Sequence, residues 1–144
     1  MHLQPETGFR ESYRIEGETM VTLSDYTIGR HFDDAISYAF YPVDLHTREG
    51  VKPEPLKRGV VPTIPLRALI PKGSRDLIVA GRCVSSDRLA NSGLRVQASC
   101  MGMGQAAGVA AALAAKSGKT PLEVPLTEIH DRLREHGQIV PEKA

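Results

Sequence analysis

The hydrophobic pattern changes character at the middle of the chain. The first half is polar and crowded with turn residues, and its patterns are short. Ser12-Tyr13-Arg14-Ile15-Glu16 alternates polar and apolar positions, which predicts a short strand. Thr22-Leu23-Ser24-Asp25-Tyr26 carries a helix start, with Thr22 or Ser24 as cap, before a short helix reaching about Gly29. Ala35-Ile36-Ser37-Tyr38-Ala39-Phe40-Tyr41 predicts a second strand, stopped by Pro42, because Ile, Phe and Tyr at this density favour a sheet. Between Asp44 and Pro65, the breakers Gly50, Pro53, Pro55, Gly59 and Pro62 exclude regular helix. Short edge strands fit around Val60-Val61 and Ile64. The bracketed apolar stretch from Pro65 to Pro71 is a turn of helix or a strand.

The second half is more regular. Asp76-Leu77-Ile78-Val79-Ala80-Gly81 is a charged lead followed by a continuous apolar run that ends in glycine, the pattern of a buried parallel strand. A polar loop is expected from Arg82 to Gly93. A long helix follows, from about Arg95 to Lys116, ended by Gly118. After Pro121, Thr127 is placed to cap a second helix to His136, with Ile129 and Leu133 on one face and Gly137 as a left-handed stop. A strand, a loop and then a helix give an α/β reading, α+β in appearance because the first half supplies its own short strands.

Composition narrows the classes. In 144 residues, 41% hydrophobic and 24% charged side chains suit one globular domain or a piece of a larger one. Lys+Arg 18 against Asp+Glu 17 gives a formal charge of +1, so nothing advertises a nucleic acid or anionic membrane partner. Two cysteines, Cys83 and Cys100, can neither build a disulfide framework nor supply four zinc ligands. They fit reduced thiols in a cytoplasmic setting, although one bridge between them stays open. Met1-His2-Leu3-Gln4-Pro5-Glu6 lacks the basic and apolar regions of a signal peptide. The apolar stretch from Ala98 to Ala115 is too poor in bulky aliphatic residues to favour insertion into a bilayer.

That stretch is the most unusual in the chain. Thirteen of its eighteen residues are Ala, Gly, Ser or Cys, so it buries little area per turn. Its glycines each cost roughly 1 kcal/mol relative to alanine. Such a helix makes sense where a backbone or a flat ligand approaches closely, and Gly104-x-x-x-Gly108 marks one such face. Two readings stand: tight helix–sheet packing alone, or packing with a ligand at the helix start, where unpaired N–H groups and the dipole favour an electronegative oxygen. Gly102-Met103-Gly104-Gln105-Ala106-Ala107 formally matches G-x-G-x-x-A. Its glycines lie inside a helical run rather than in the turn after a strand, so it is no pyrophosphate loop. Arg95 opposes the dipole at a helix start and wants an anion, a carbonyl or a carboxylate such as Asp87. Asp44-x-His46 reads as a solvated turn rather than a metal or acid/base pair, and Asp33-Asp34 as a cap or solvated pair. Cys100 reads as packing rather than a nucleophile. His2, His31, His130 and His136 show no metal spacing, and no metal is expected.

Leu77-Ile78-Val79-Ala80-Gly81-Arg82-Cys83, followed by the run Ser92-Gly93-Leu94-Arg95-Val96-Gln97 through Cys100-Met101-Gly102-Met103-Gly104-Gln105-Ala106-Ala107-Gly108, resembles the C-terminal end of a bacterial family of FAD-dependent oxidoreductases with a glutathione-reductase-like FAD domain. Asp33-Asp34-Ala35-Ile36, Tyr41 to His46, and Ile64 to Pro71 add softer similarity, so the likeness spans roughly Arg10 to Val140. The resemblance implies a C-terminal fragment of such an enzyme. Residues 1–75 would be part of a substrate or cap domain with a Pro-rich connection. Residues 76–144 would be the last strand and the helices of the FAD-binding domain. It places Gly81 and Arg82 beside the ribityl–phosphate part of FAD. It places Ser92, Gly93, Leu94, Arg95, Val96 and Gln97 against the isoalloxazine, with N–H groups near Val96 and Gln97 reaching a pyrimidine oxygen. The implied partner is an N-terminal half carrying the G-x-G-x-x-G segment. Without it the chain is expected to be inactive and to self-associate. No catalytic acid or base is assigned; Arg67, Asp44 and His46 are conceivable on the substrate side. The reading from another class is a non-enzymatic α/β domain whose small-residue helix serves packing or self-association.

Overall fold

A computed structural model describes residue 10 and residues 12–44 and 53–142. The order of elements is α1 (Leu23–Ile28), β1 (Ala35–Tyr38), β2 (Thr63–Pro65), a single 3-10 turn (Leu66–Ala68), α2 (Arg88–Leu94), α3 (Gln97–Ser117) and α4 (Leu126–Glu135). β1 and β2 pair antiparallel, and α3 packs across β1 with α4 beside it. A mixed α/β architecture is therefore present, built on a two-stranded sheet.

α1 forms as its capping residues dictate. The Asp25 N–H donates to Thr22 Oγ1 at 3.2 Å, and the Thr22 N–H donates back to Asp25 Oδ2 at 3.0 Å, a reciprocal capping box. Gly29 closes the helix with φ 71°, in the left-handed region where glycine carries no Cβ penalty. Burial pushes the Asp25 carboxyl up, but Arg30 at 2.9 Å and the Thr22 bonds outweigh it and leave its pKa lowered.

β1 carries a bulge between Ala35 and Ser37, which takes the Ile36 carbonyl out of the ladder. The C-terminal segment satisfies what the bulge frees. Gln138 Nε2 donates to the Ile36 carbonyl at 2.7 Å, and His130 Nε2 meets the Ala35 carbonyl at 2.8 Å. A carbonyl only accepts, so His130 carries its proton on Nε2. α4 is thereby tied to the sheet by hydrogen bonds as well as by the buried Ile129 and Leu133.

Four expectations need correction. Leu77 to Gly81 forms no strand and pairs in no sheet; Leu77 is 52% exposed, and Val79 N–H to the Leu69 carbonyl is the segment's link to its neighbour. A parallel strand needs parallel neighbours, and among the described residues no strand pairs with this segment; the parallel bridge of Val21 with Ser86 lies outside it. Ser12 to Glu16 forms no strand either, because its bonds diverge: Ile15 N–H goes to Cys83 while the Glu16 carbonyl takes the Lys72 N–H. The expected loop from Arg82 to Gly93 contains most of α2, capped by Asp87, whose carboxylate accepts the Ala90 N–H at 2.8 Å. α4 starts at Leu126 behind Pro125, so Thr127 lies inside the helix rather than capping it.

α3 is long and apolar enough to cross a membrane by length and composition. Its Ser99, Met103, Ala106, Ala107, Ala110 and Ala114 are buried against the rest of the chain. The close approach falls at Gly102, where a Cβ would run into Ser37 of β1, and not at Gly104 and Gly108, which face open space. Gly93 is also tight: a Cβ there would lie 2.5 Å from Tyr26 Oη.

Three outcomes follow from this packing. Gly104→Ala and Gly108→Ala should each stabilise the chain by roughly 0.5–1 kcal/mol in chemical denaturation, as exposed helix-interior replacements do. Gly93→Ala should destabilise it by about 1–3 kcal/mol, because the fully buried Tyr26 cannot yield. Burial pushes the Tyr26 hydroxyl from 10.0 up to about 12, partly offset by its bond to Tyr41. The unfolded chain therefore loses this proton first as pH rises. Stability present below pH 10 should fall between pH 10 and 12 by an amount on the order of 2 kcal/mol, and Tyr26→Phe should remove that component.

Candidate functional site

The site grows out of a break between two helices. The helix expected from about Arg95 forms as α3 from Gln97, and Arg95 and Val96 separate it from α2, which stands where a loop is expected. Arg95 ends α2, its N–H bonded to the Asn91 carbonyl, and Val96 is extended at φ −74°, ψ 155°. Val96 is apolar and caps nothing, so α3 begins without a side-chain acceptor for its first-turn N–H groups. A helix of 21 residues thus presents an uncapped positive end.

In front of it lies a cleft of about 500 Å³ lined by Arg10, Tyr41, Asp44, Arg82, Ser92, Arg95, Val96 and Gln97. Five of the expected site residues, Arg82, Ser92, Arg95, Val96 and Gln97, meet there. Arg95 does not use Asp87, which is occupied with α2 and with the Leu23 N–H. Its Nη2 donates to the Asp44 carbonyl at 3.2 Å and its Nη1 to the Arg10 carbonyl at 3.3 Å. The dipole objection also softens, because the same residue sits at the carboxyl end of α2, where a cation is favoured.

Ser92 is buried and points its hydroxyl sideways. Ser92 Oγ donates to the Leu89 carbonyl at 2.6 Å and accepts the Asp44 N–H at 3.0 Å. It therefore fastens the opposite wall rather than offering a free hydroxyl to a ligand. Gly93 and Leu94 lie in the core behind the cleft, Gly93 against Tyr26 and Leu94 fully buried. Gly81 stands one step away, at φ 90°, where an L side chain would be strained, and a Cβ on it would lie 4.0 Å from Cys100 Sγ. The turn from Gly81 to Val84, closed by a 3.1 Å bond, brings the exposed Arg82 to the cleft.

Two supporting residues carried no sequence signal. Asn91, buried in α2, donates through Nδ2 to the Arg82 carbonyl at 3.2 Å and to Ser86 Oγ at 3.1 Å, fixing the turn that carries Arg82. Its only mark in the sequence is an amide inside an otherwise small and apolar stretch. Tyr26 grips Tyr41 from behind: its hydroxyl donates to the Tyr41 carbonyl at 2.8 Å and accepts the Tyr41 N–H at 3.2 Å. No spacing in the chain announces that contact, which joins residues 15 apart.

The remaining candidates separate from the cleft. Asp34 is no half of a dyad; it accepts from Arg67 Nε at 3.1 Å and Nη2 at 3.3 Å, and this pairing raises the Arg67 pKa. Arg67 is thereby held away from the cleft. Cys83 and Cys100 are both thiols. Burial pushes Cys100 up, against the pull of Arg82 and with the push of Cys83, so it is not an activated nucleophile. His46 lies outside the described residues. Among the described residues no group of three His, Cys, Asp or Glu side chains could hold a metal ion.

The cleft suits a flat ligand with an electronegative edge. Its volume falls in the range of small-molecule sites, and uncapped amides and Arg82 supply donors. The ring end of a flavin fits this donor set. The pyrophosphate end finds no glycine turn among the described residues, since Gly102 and Gly104 are inside α3.

No curated protein and no solved structure matches the chain. A family model described as FAD dependent oxidoreductase matches residues 1–133, nearly the whole length and all of the cleft. The cleft chemistry and this match agree, and the chain belongs to the FAD-dependent oxidoreductase family.

Proposed function

We propose that this chain supplies the flavin-ring end of an FAD-dependent oxidoreductase of glutathione-reductase-like architecture, as its C-terminal portion. The observation that carries the reading is the uncapped start of α3 opening into the cleft beside Arg82 and Arg95. Bound there, FAD would supply hydride and electron transfer. The chain's own part is orientation and charge. The first-turn amides at Gln97 would donate to the pyrimidine oxygen, and the helix dipole with Arg82 favours the reduced, negatively charged form of the ring. Arg95 and Ser92 act one step back by holding the Asp44 backbone. The two thiols suit a reducing, cytoplasmic setting.

The partner in this reading is a polypeptide segment with the strand and glycine turn that hold the pyrophosphate. The unpaired Leu77–Ala80 segment is the edge it would extend. A second reading, self-association without catalysis, is favoured by the open face of α3 at Gly104 and Gly108. Both readings expect the chain alone to associate, so a monodisperse monomer in light scattering would speak against both surfaces being sticky.

Flavin titration decides for the cofactor. If the chain contacts the ring end alone, FAD and riboflavin should bind with similar affinity, with Kd on the order of 0.1–1 mM. Arg82→Ala should weaken both by about 3- to 10-fold, while Lys116→Ala, at the far end of α3, should change neither. FAD binding a hundredfold tighter than riboflavin would show a pyrophosphate site in the chain. Binding of neither would refute the ring-end reading.

A further inference from the structure

We infer that Tyr41 is the stacking residue of the cleft, the side chain that gives it preference for a flat aromatic ring. This rests on the cofactor reading above and adds to it a specific contact. Tyr41 is the aromatic residue among those lining the cleft, and it is 39% exposed, so its ring is available to a ligand.

Its backbone is held far more firmly than a surface residue requires. The Tyr26 hydroxyl occupies both the N–H and the carbonyl of Tyr41. Pro42 follows and restricts the conformation of Tyr41 itself. Val43 pairs with Glu54 through two bonds of 2.9 Å, and Asp44 is pinned by Ser92 and Arg95. Tyr26 is fully buried, and Gly93 leaves the space it needs. A buried phenol, a glycine and two side chains of the α2–α3 junction thus converge on one short segment that ends in the cleft.

The consequence is a pre-positioned ring. A tyrosine on a fixed backbone has two torsions left to lose, so little ordering cost opposes stacking. Arg82 and the first-turn amides of α3 meet the electronegative edge of a ligand and Tyr41 its face. An isoalloxazine presents both. A sugar phosphate has the charge without the face, and an aliphatic acid likewise.

The test uses the whole chain, titrated with riboflavin and followed by flavin fluorescence and calorimetry. An electron-rich phenol stacked on a flavin quenches its emission. Wild type should therefore quench bound riboflavin strongly. Tyr41→Leu should weaken binding about tenfold and abolish the quenching. Tyr41→Phe should keep the affinity within about twofold yet relieve the quenching, a split that loss of structure does not produce. Should Tyr41→Leu fail to fold by circular dichroism, Tyr41→Phe carries the test alone. Wild-type binding with quenching and affinity unchanged in both variants would overturn the role of Tyr41 and leave the cofactor reading standing. Absence of riboflavin binding to wild type would overturn both.

Discussion

The site depends on a two-residue interruption. If Arg95 and Val96 were helical, α2 and α3 would be one rod and the amides at Gln97 would be spent on internal bonds. Because Val96 is extended and cannot cap, those amides stay available, and a helix long enough to develop its dipole points at a cleft. Arg95 gains from the same interruption. It closes α2 where a cation is welcome and reaches across to the Asp44 and Arg10 carbonyls. The junction creates the donor set and braces the facing wall at once.

The core and the cleft are not separable. Tyr26 is a core residue by burial and a site residue by its hydroxyl, which holds Tyr41. Gly93 belongs to the site segment, yet its missing side chain is explained by Tyr26 behind it. Asn91 and Ser92 are buried polar groups in a seven-residue helix, and each makes one of its hydrogen bonds to backbone that borders the cleft, at Arg82 and Asp44. Buried polar groups need partners, and here the partners are the walls of the site.

What the sequence displayed was local. Thr22 and Gly29 bracket α1, Gly118 and Gly137 stop α3 and α4, and Ile129 and Leu133 face inward, all features set by neighbours three or four residues away. Leu77 to Gly81 shows the limit. Its composition is that of a buried strand, but strand formation depends on neighbours that the segment itself does not encode, and it forms no strand. The α2 helix was hidden for a related reason: Asn91, Ser92 and Gly93 look like loop residues until the side-chain bonds of the first two and the packing of Gly93 against Tyr26 are known. For the candidate site, Arg82, Ser92, Arg95, Val96 and Gln97 of the motif line one cleft. The motif did not tell ligand-facing residues from supporting ones, since that depends on which way Ser92, Gly93 and Leu94 turn.

The most direct test is residue-resolved. Amide NMR spectra of the isotope-labelled chain, recorded while riboflavin is added, report which N–H groups meet the ligand. The account predicts saturable shifts at Gln97, Ala98 and Ser99, with Arg82 and Tyr41 moving alongside, and little change at Lys116 or Arg132. Shifts confined to the groove between α3 and α4, or no shifts at all, would contradict the claim that the start of α3 is a flavin site.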